Sequence, residues 1–110
     1  MSKVTILNDQ HEFERVSNEN NFFYLLKHSL TCPISAMAKT EFDAFSAMTD
    51  YPCFQLNVQE SRALSNEVAT AYSIRHESPQ VLLFKNGEVI WNASHGRITE
   101  KELERSLKRI

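Results

Sequence analysis

The run "FFYLLKH", Phe22 to His28, limits the fold more than any other stretch of the chain. Apolar and aromatic residues follow one another without the polar alternation of a half-buried strand. Such a run reads as a strand covered on both faces. The chain around it must therefore supply layers on either side of a sheet.

The neighbouring segments fit that demand. "KVTIL" (Lys3 to Leu7) reads as a short strand. Asn8 and Asp9 can cap a following helix, with Glu12 three residues after Asp9 and Phe13 and Val16 on one face. Beyond the central run, Ile34, Ala38, Phe42, Phe45 and Met48 recur at helical spacing. "CFQLNV" (Cys53 to Val58) reads as another strand, and Leu64, Val68, Ala71 and Tyr72 form the next helical face. "QVLLF" is a strand, Asn86-Gly87 is a hairpin turn, and "EVIWNA" is its partner. Thr99 and Glu102 make a capping box before Leu103, Leu107 and Ile110. The order is β-α-β-α-β-α-β-β-α. Strand-helix-strand units favour a parallel core with right-handed crossovers, and the hairpin adds an antiparallel edge.

Composition narrows the function classes. At 110 residues the chain is the size of one domain, expected over residues 1–110. Its net charge of -2 comes without a basic block, so nucleic acid has no electrostatic footprint here. No run approaches the ~18 apolar residues of a membrane span. The N-terminal "MSKVTILNDQ" lacks the long apolar segment of a signal peptide, so a cytoplasmic location is expected. Two glycines exclude a Gly-rich phosphate loop. Two cysteines do not make a disulfide framework, and with four scattered histidines they show no zinc-ligand spacing, so no metal is expected. In a reducing compartment a singular cysteine points to catalysis or metal binding.

Cys32 stands in "HSLTCPIS", half of a Cys-x-x-Cys motif with Ser35 in the second place. Pro33 suits the first turn of a helix, where its missing N–H is not missed. Cys32 then lies at a helix N-terminus, where free N–H groups and the helix dipole favour a thiolate. An ordinary thiol, with a pKa of ~8.5, is only a few per cent thiolate at pH 7. The thiolate is the attacking species in thiol-disulfide exchange. His28, at the strand end, is expected to add positive charge nearby. The plain alternative for Cys32 is a small buried apolar residue. Ser35 cannot resolve a mixed disulfide, but it can hydrogen-bond the Cys32 thiolate. Cys53 starts a strand that should run parallel to the central one. Its sulfur is therefore expected on the order of 15 Å from Cys32, too far for a disulfide.

The element order, with a cysteine between the second strand and second helix, resembles the thioredoxin fold: a mixed central sheet flanked by helices. "TCPIS", "HESPQ" and "ASHGRIT", spread over nearly the whole chain in this order, resemble the monothiol bacilliredoxins. These thioredoxin-like cytoplasmic proteins are thought to act on bacillithiol mixed disulfides. The resemblance implies that Cys32 is the active cysteine, Ser35 the non-cysteine position and Pro79 a cis proline. The cis proline leaves the backbone of Ser78 free to pair with substrate. Thr31, Pro33, Ser94 and His95 would border the substrate. His76, just upstream of Pro79, is an electrostatic candidate beside His28. His76 and His95 read equally well as solvated surface residues. Bacillithiol would be a co-substrate, with no tightly bound cofactor. The partners would be S-bacillithiolated proteins, and a monomer is expected.

Three rival readings stand beside this one. Monothiol glutaredoxins, also Cys-x-x-Ser, can hold an iron–sulfur cluster between subunits with an external thiol, and Cys32 with bacillithiol would be the equivalent. A thiol peroxidase wants Thr three residues before the cysteine, and position 29 is Ser. A non-catalytic thioredoxin-like docking module would have lost the depressed pKa at Cys32.

Overall fold

The computed structural model describes residues 3–110; Met1 and Ser2, at the head of the N-terminal segment discussed above, lie outside the described residues. Strand β1 (Val4–Ile6) leads into helix α1 (Gln10–Glu19), then β2 (Phe22–His28), α2 (Pro33–Met48), β3 (Cys53–Asn57) and α3 (Arg62–Ala71). Strands β4 (Gln80–Lys85) and β5 (Glu88–Ser94) form the hairpin, and α4 (Glu100–Ser106) closes the fold. None of these helices is long and apolar enough to cross a membrane.

Local chemistry sets the ends of the elements. The Asp9 carboxylate accepts from the Glu12 amide at 2.8 Å, and Glu12 Oε1 accepts from the Asn8 amide at 2.7 Å, a reciprocal cap for α1. Thr99 Oγ1 accepts from the Glu102 amide at 3.1 Å to start α4. Asn86 and Gly87 both have positive φ, 50° and 82°, the turn geometry that matches the right-handed twist of paired strands.

The strands lie in the order β1-β3-β2-β4-β5, with β2 at the centre. As its sequence demands, β2 is covered on both faces. Phe23 and Leu25 pack with Phe13, Leu64, Val68 and Phe84 on the α1/α3 side. Tyr24 and Leu26 pack with Ala38, Phe42, Phe45 and Leu103 on the α2/α4 side. Phe23 stacks on Phe84 with ring centroids 4.5 Å apart.

Two expectations need correction. Only β1, β3 and β2 are parallel; β4 runs antiparallel to β2, so the antiparallel part is more than an edge. The reason lies in where the chain re-enters the sheet. Strand β3 ends with Asn57 beside His28, and β4 begins with Gln80 beside Lys27, at the same end. The segment 72–79 after α3 carries the chain back to the end it had left. The second correction concerns helix faces. Ser35 and Ser46, not Ile34 and Met48, take the inward places at the two ends of α2, and Ala71 faces solvent at the end of α3.

One residue of the central strand is unlike its neighbours. Lys27 is fully buried, and no carboxylate among the described residues pairs with it. Burial pulls its pKa from 10.5 down to about 8. Between those values the unfolded chain binds the proton and the folded chain does not, so stability rises with pH across that window. The full effect corresponds to on the order of 3 kcal/mol. Above about pH 9 the buried Cys53 thiol and Tyr24 hydroxyl, both pushed up to about 12, act in the opposite sense. Urea unfolding of wild type and Lys27→Met from pH 7 to 10 separates the two. The difference between their stabilities should shift by kilocalories toward wild type as pH rises, and a pH-independent difference would contradict a buried amine with no carboxylate partner.

Candidate active site

The site forms where β2, β3 and β4 meet the first turn of α2. Cys32 is the N-cap of α2 in extended backbone, and Pro33 follows as its first helical residue. The Cys32 carbonyl accepts from the Ala36 amide at 3.1 Å, so the helix begins at the cysteine itself. Its thiol is half-buried, while Pro33 and Ile34 are exposed. The Ser35 amide contributes most to holding the Cys32 pKa below its ordinary value, helped by the Ile34 amide and the Ser35 hydroxyl, against partial burial, which raises it. These are the unsatisfied N–H groups of a helix start turned on a sulfur anion.

Ser35 is fully buried beneath the cysteine. Its hydroxyl also accepts from the Ser29 amide at 3.3 Å, which ties the loop before Cys32 to the helix after it. In Ser35→Ala the backbone amides remain, so the thiol pKa should rise only part of the way to that of a free cysteine. Exchange should slow by about fivefold, the effect of one hydrogen bond. Alkylation rate against pH measures the first, and complete loss of exchange would show that Ser35 does more than this.

His28 does not supply positive charge. It is buried, and that burial, aided by the nearby Lys39 charge, lowers its pKa, so the ring is neutral at pH 7. The helix start, not His28, accounts for the Cys32 shift. His76 is likewise held neutral, by partial burial of its ring and then by Lys27 and Arg62. Its Nδ1 lies 3.3 Å from Lys27 Nζ and 3.2 Å from Ser65 Oγ, on the α3 side of the sheet. Neither histidine is the electrostatic group expected of it.

Pro79 stands at the same sheet end as Cys32, because Gln80 pairs with Lys27. The Ser78–Pro79 bond is cis. The Pro79 carbonyl accepts from the His95 amide at 2.9 Å, which joins this loop to the turn after β5. The Ser94 hydroxyl and, after it, the His95 ring hold the Glu77 carboxyl below its ordinary range. Ile34, Met37, Ala38, Glu41, His95 and Ile98 line a largely apolar groove of about 490 Å³ beside the helix start. The segment around Ser94 and His95 thus borders the site. Thr31 is exposed at its rim.

Gln59 escaped the sequence reading. Its Nε2 donates to Ser29 Oγ at 2.8 Å and Thr31 Oγ1 at 3.4 Å, and its Oε1 accepts from the Leu30 amide at 3.0 Å. One side chain thus clamps all three residues before Cys32. The only signal in the sequence was position: Gln59 follows a strand parallel to β2 and so emerges at the same end. Cys53 lies opposite Tyr24, far down the sheet, with its thiol pushed up to about 12 by burial. Among the described residues, no three His, Cys, Asp or Glu side chains gather to hold a metal ion.

The family model for the monothiol bacilliredoxin BrxC matches residues 5–103. The chain belongs to the monothiol bacilliredoxin family. It is also similar, at 40% identity and a TM-score of 0.91, to a solved protein with a thioredoxin fold, over 96% of this chain and 94% of that one. The thioredoxin Mala s 13 of Malassezia sympodialis matches 99% of the chain and 91% of its own length at 17% identity and a TM-score of 0.80. The Nicotiana alata thioredoxin NaTrxh matches 98% and 92% at 20% identity and a TM-score of 0.78. These two share the fold alone. Fold and family together give this bacilliredoxin family member a role in thiol redox chemistry, and Cys32 is its half-exposed sulfur.

Proposed function

We propose that the protein removes bacillithiol from S-bacillithiolated proteins by monothiol exchange. One observation carries the reading: the activated sulfur at the start of α2 has a hydroxyl, Ser35, where a second sulfur would resolve a disulfide. The Cys32 thiolate attacks the bacillithiol sulfur of the mixed disulfide. That S–S bond breaks, the protein thiolate leaves and takes up a proton, and Cys32 carries bacillithiol in a new disulfide. A second bacillithiol thiolate attacks this disulfide, frees the Cys32 thiolate and departs as oxidised bacillithiol. One bacillithiol thiol is consumed, one protein thiol is released, and the disulfide passes from the protein to oxidised bacillithiol, so electrons balance without a cofactor.

The depressed pKa of Cys32 serves both halves of the cycle. It raises the thiolate fraction for attack and makes Cys32 the better leaving group when the second thiol arrives. The groove at Ile34, Met37 and His95 offers an apolar bed beside the reacting sulfur for the substrate. The test is a count of thiols released from an S-bacillithiolated protein with bacillithiol as the sole reductant. Release should be catalytic in this protein and require bacillithiol for more than one turnover. Release of less than one thiol per chain, or none, would contradict the proposal.

A further inference from the structure

We propose that Lys27 and Gln80 are positioning residues for exchange, holding from beneath the loop that carries Ser78 and Pro79 against the Cys32 segment. The inference rests on the exchange reading above. Lys27 and Gln80 are direct partners across the β2–β4 pair, so their side chains share one face of the sheet. Both are buried, at 0% and 2% exposure. Both reach the same loop: Lys27 Nζ lies 3.3 Å from His76 Nδ1, and Gln80 Nε2 donates to the Arg75 carbonyl at 3.1 Å. Lys27 also donates to the Ser65 carbonyl of α3 at 2.9 Å, so one ammonium joins helix, strand and loop.

The arrangement is a poor one for stability alone. A buried ammonium without a carboxylate is a burden that a methionine or leucine at the same place would not impose. Gln80 Oε1 is buried with no partner among the described residues, which adds to it. What the pair gains is a fixed position for residues 75–79, at the same end of the sheet as the reacting sulfur. The groups facing Lys27 are Ser65 from α3, His76 from the loop, Gln80 from β4 and the apolar Leu56 beside it on β3. Arg62 and Glu77 act on the ring of His76 from α3 and the loop. With His76 neutral, its Nδ1 accepts from Lys27.

The anchoring predicts a loss in substrate capture without a change in the nucleophile. In Lys27→Met, KM for a protein bearing a bacillithiol mixed disulfide should rise about tenfold, as expected for misplaced binding groups. The pH midpoint of Cys32 alkylation by iodoacetamide should stay at the wild-type value. His76→Ala, at an exposed position where folding is not at risk, should raise KM in the same direction, and His76→Gln, which keeps an acceptor, should restore it to within about twofold of wild type. If Lys27→Met does not fold, the His76 pair decides. Wild-type KM in the folded variants, no rescue by His76→Gln, or a KM rise matched by a shifted alkylation midpoint would overturn the anchoring. If wild type itself releases no thiol, both the anchoring and the exchange reading fail; if wild type exchanges and the variants match it, the anchoring alone fails.

Discussion

Cys32→Ser should abolish release of bacillithiol from protein mixed disulfides, whereas Cys53→Ala should keep it within about twofold of wild type. The two sulfurs differ in every property that exchange uses. Cys32 is half-exposed, sits at the start of a 16-residue helix, and has a pKa held down first by the Ser35 amide. A serine hydroxyl in its place has no accessible anion near pH 7 and no disulfide chemistry. Cys53 is buried in the sheet, donates weakly to the Tyr51 carbonyl at 3.5 Å, and has a thiol pushed up to about 12. Its register partner on β2 is Tyr24, whereas Cys32 lies past the end of that strand. At ~3.3 Å per residue, the four residues from Tyr24 to the strand end alone separate the sulfurs by more than the ~7 Å between Cα atoms that a disulfide spans. Cys53→Ala should lower stability by about 1 kcal/mol through lost packing. Equal loss of activity in the two variants would contradict this division.

Ser35→Cys should turn the protein from a carrier of bacillithiol into a former of an internal disulfide. Residue 35 lies one turn from Cys32, and its hydroxyl is among the groups that hold that thiol's pKa down. A sulfur placed there faces any mixed disulfide formed at Cys32. Attack within the chain has an effective concentration that no external thiol at millimolar levels matches. Treatment with oxidised bacillithiol should leave this variant with a disulfide between Cys32 and the introduced sulfur and almost no adduct, reversible by dithiothreitol. A stable adduct on the variant, with a free second thiol, would show that the helix start does not present position 35 to the sulfur of Cys32.

What the sequence makes legible is governed by local chemistry. Asp9 with Glu12, Thr99 with Glu102, Asn86-Gly87 and Cys32-Pro33 each act within a few residues, and each ends or turns the chain where its chemistry requires. The continuous run Phe22–His28 reads as a two-sided strand because it is short, aromatic-rich and without polar alternation. What stays hidden depends on distant partners. The direction of β4 follows from residues 72–79, which return the chain to the end of the sheet where β3 stopped. The partners of Lys27 lie far along the chain, at Ser65 and His76. His28 reads as a cation until its burial is known. Gln59 gains its role only because β3 delivers it beside residues 29–31.

Intact mass of the folded protein after incubation with oxidised bacillithiol tests the monothiol mechanism most directly. The account predicts one bacillithiol adduct per chain, mapped to Cys32, removed by added bacillithiol and absent from Cys32→Ser. An unmodified chain, an adduct on Cys53, or a Cys32–Cys53 disulfide in folded protein would contradict it.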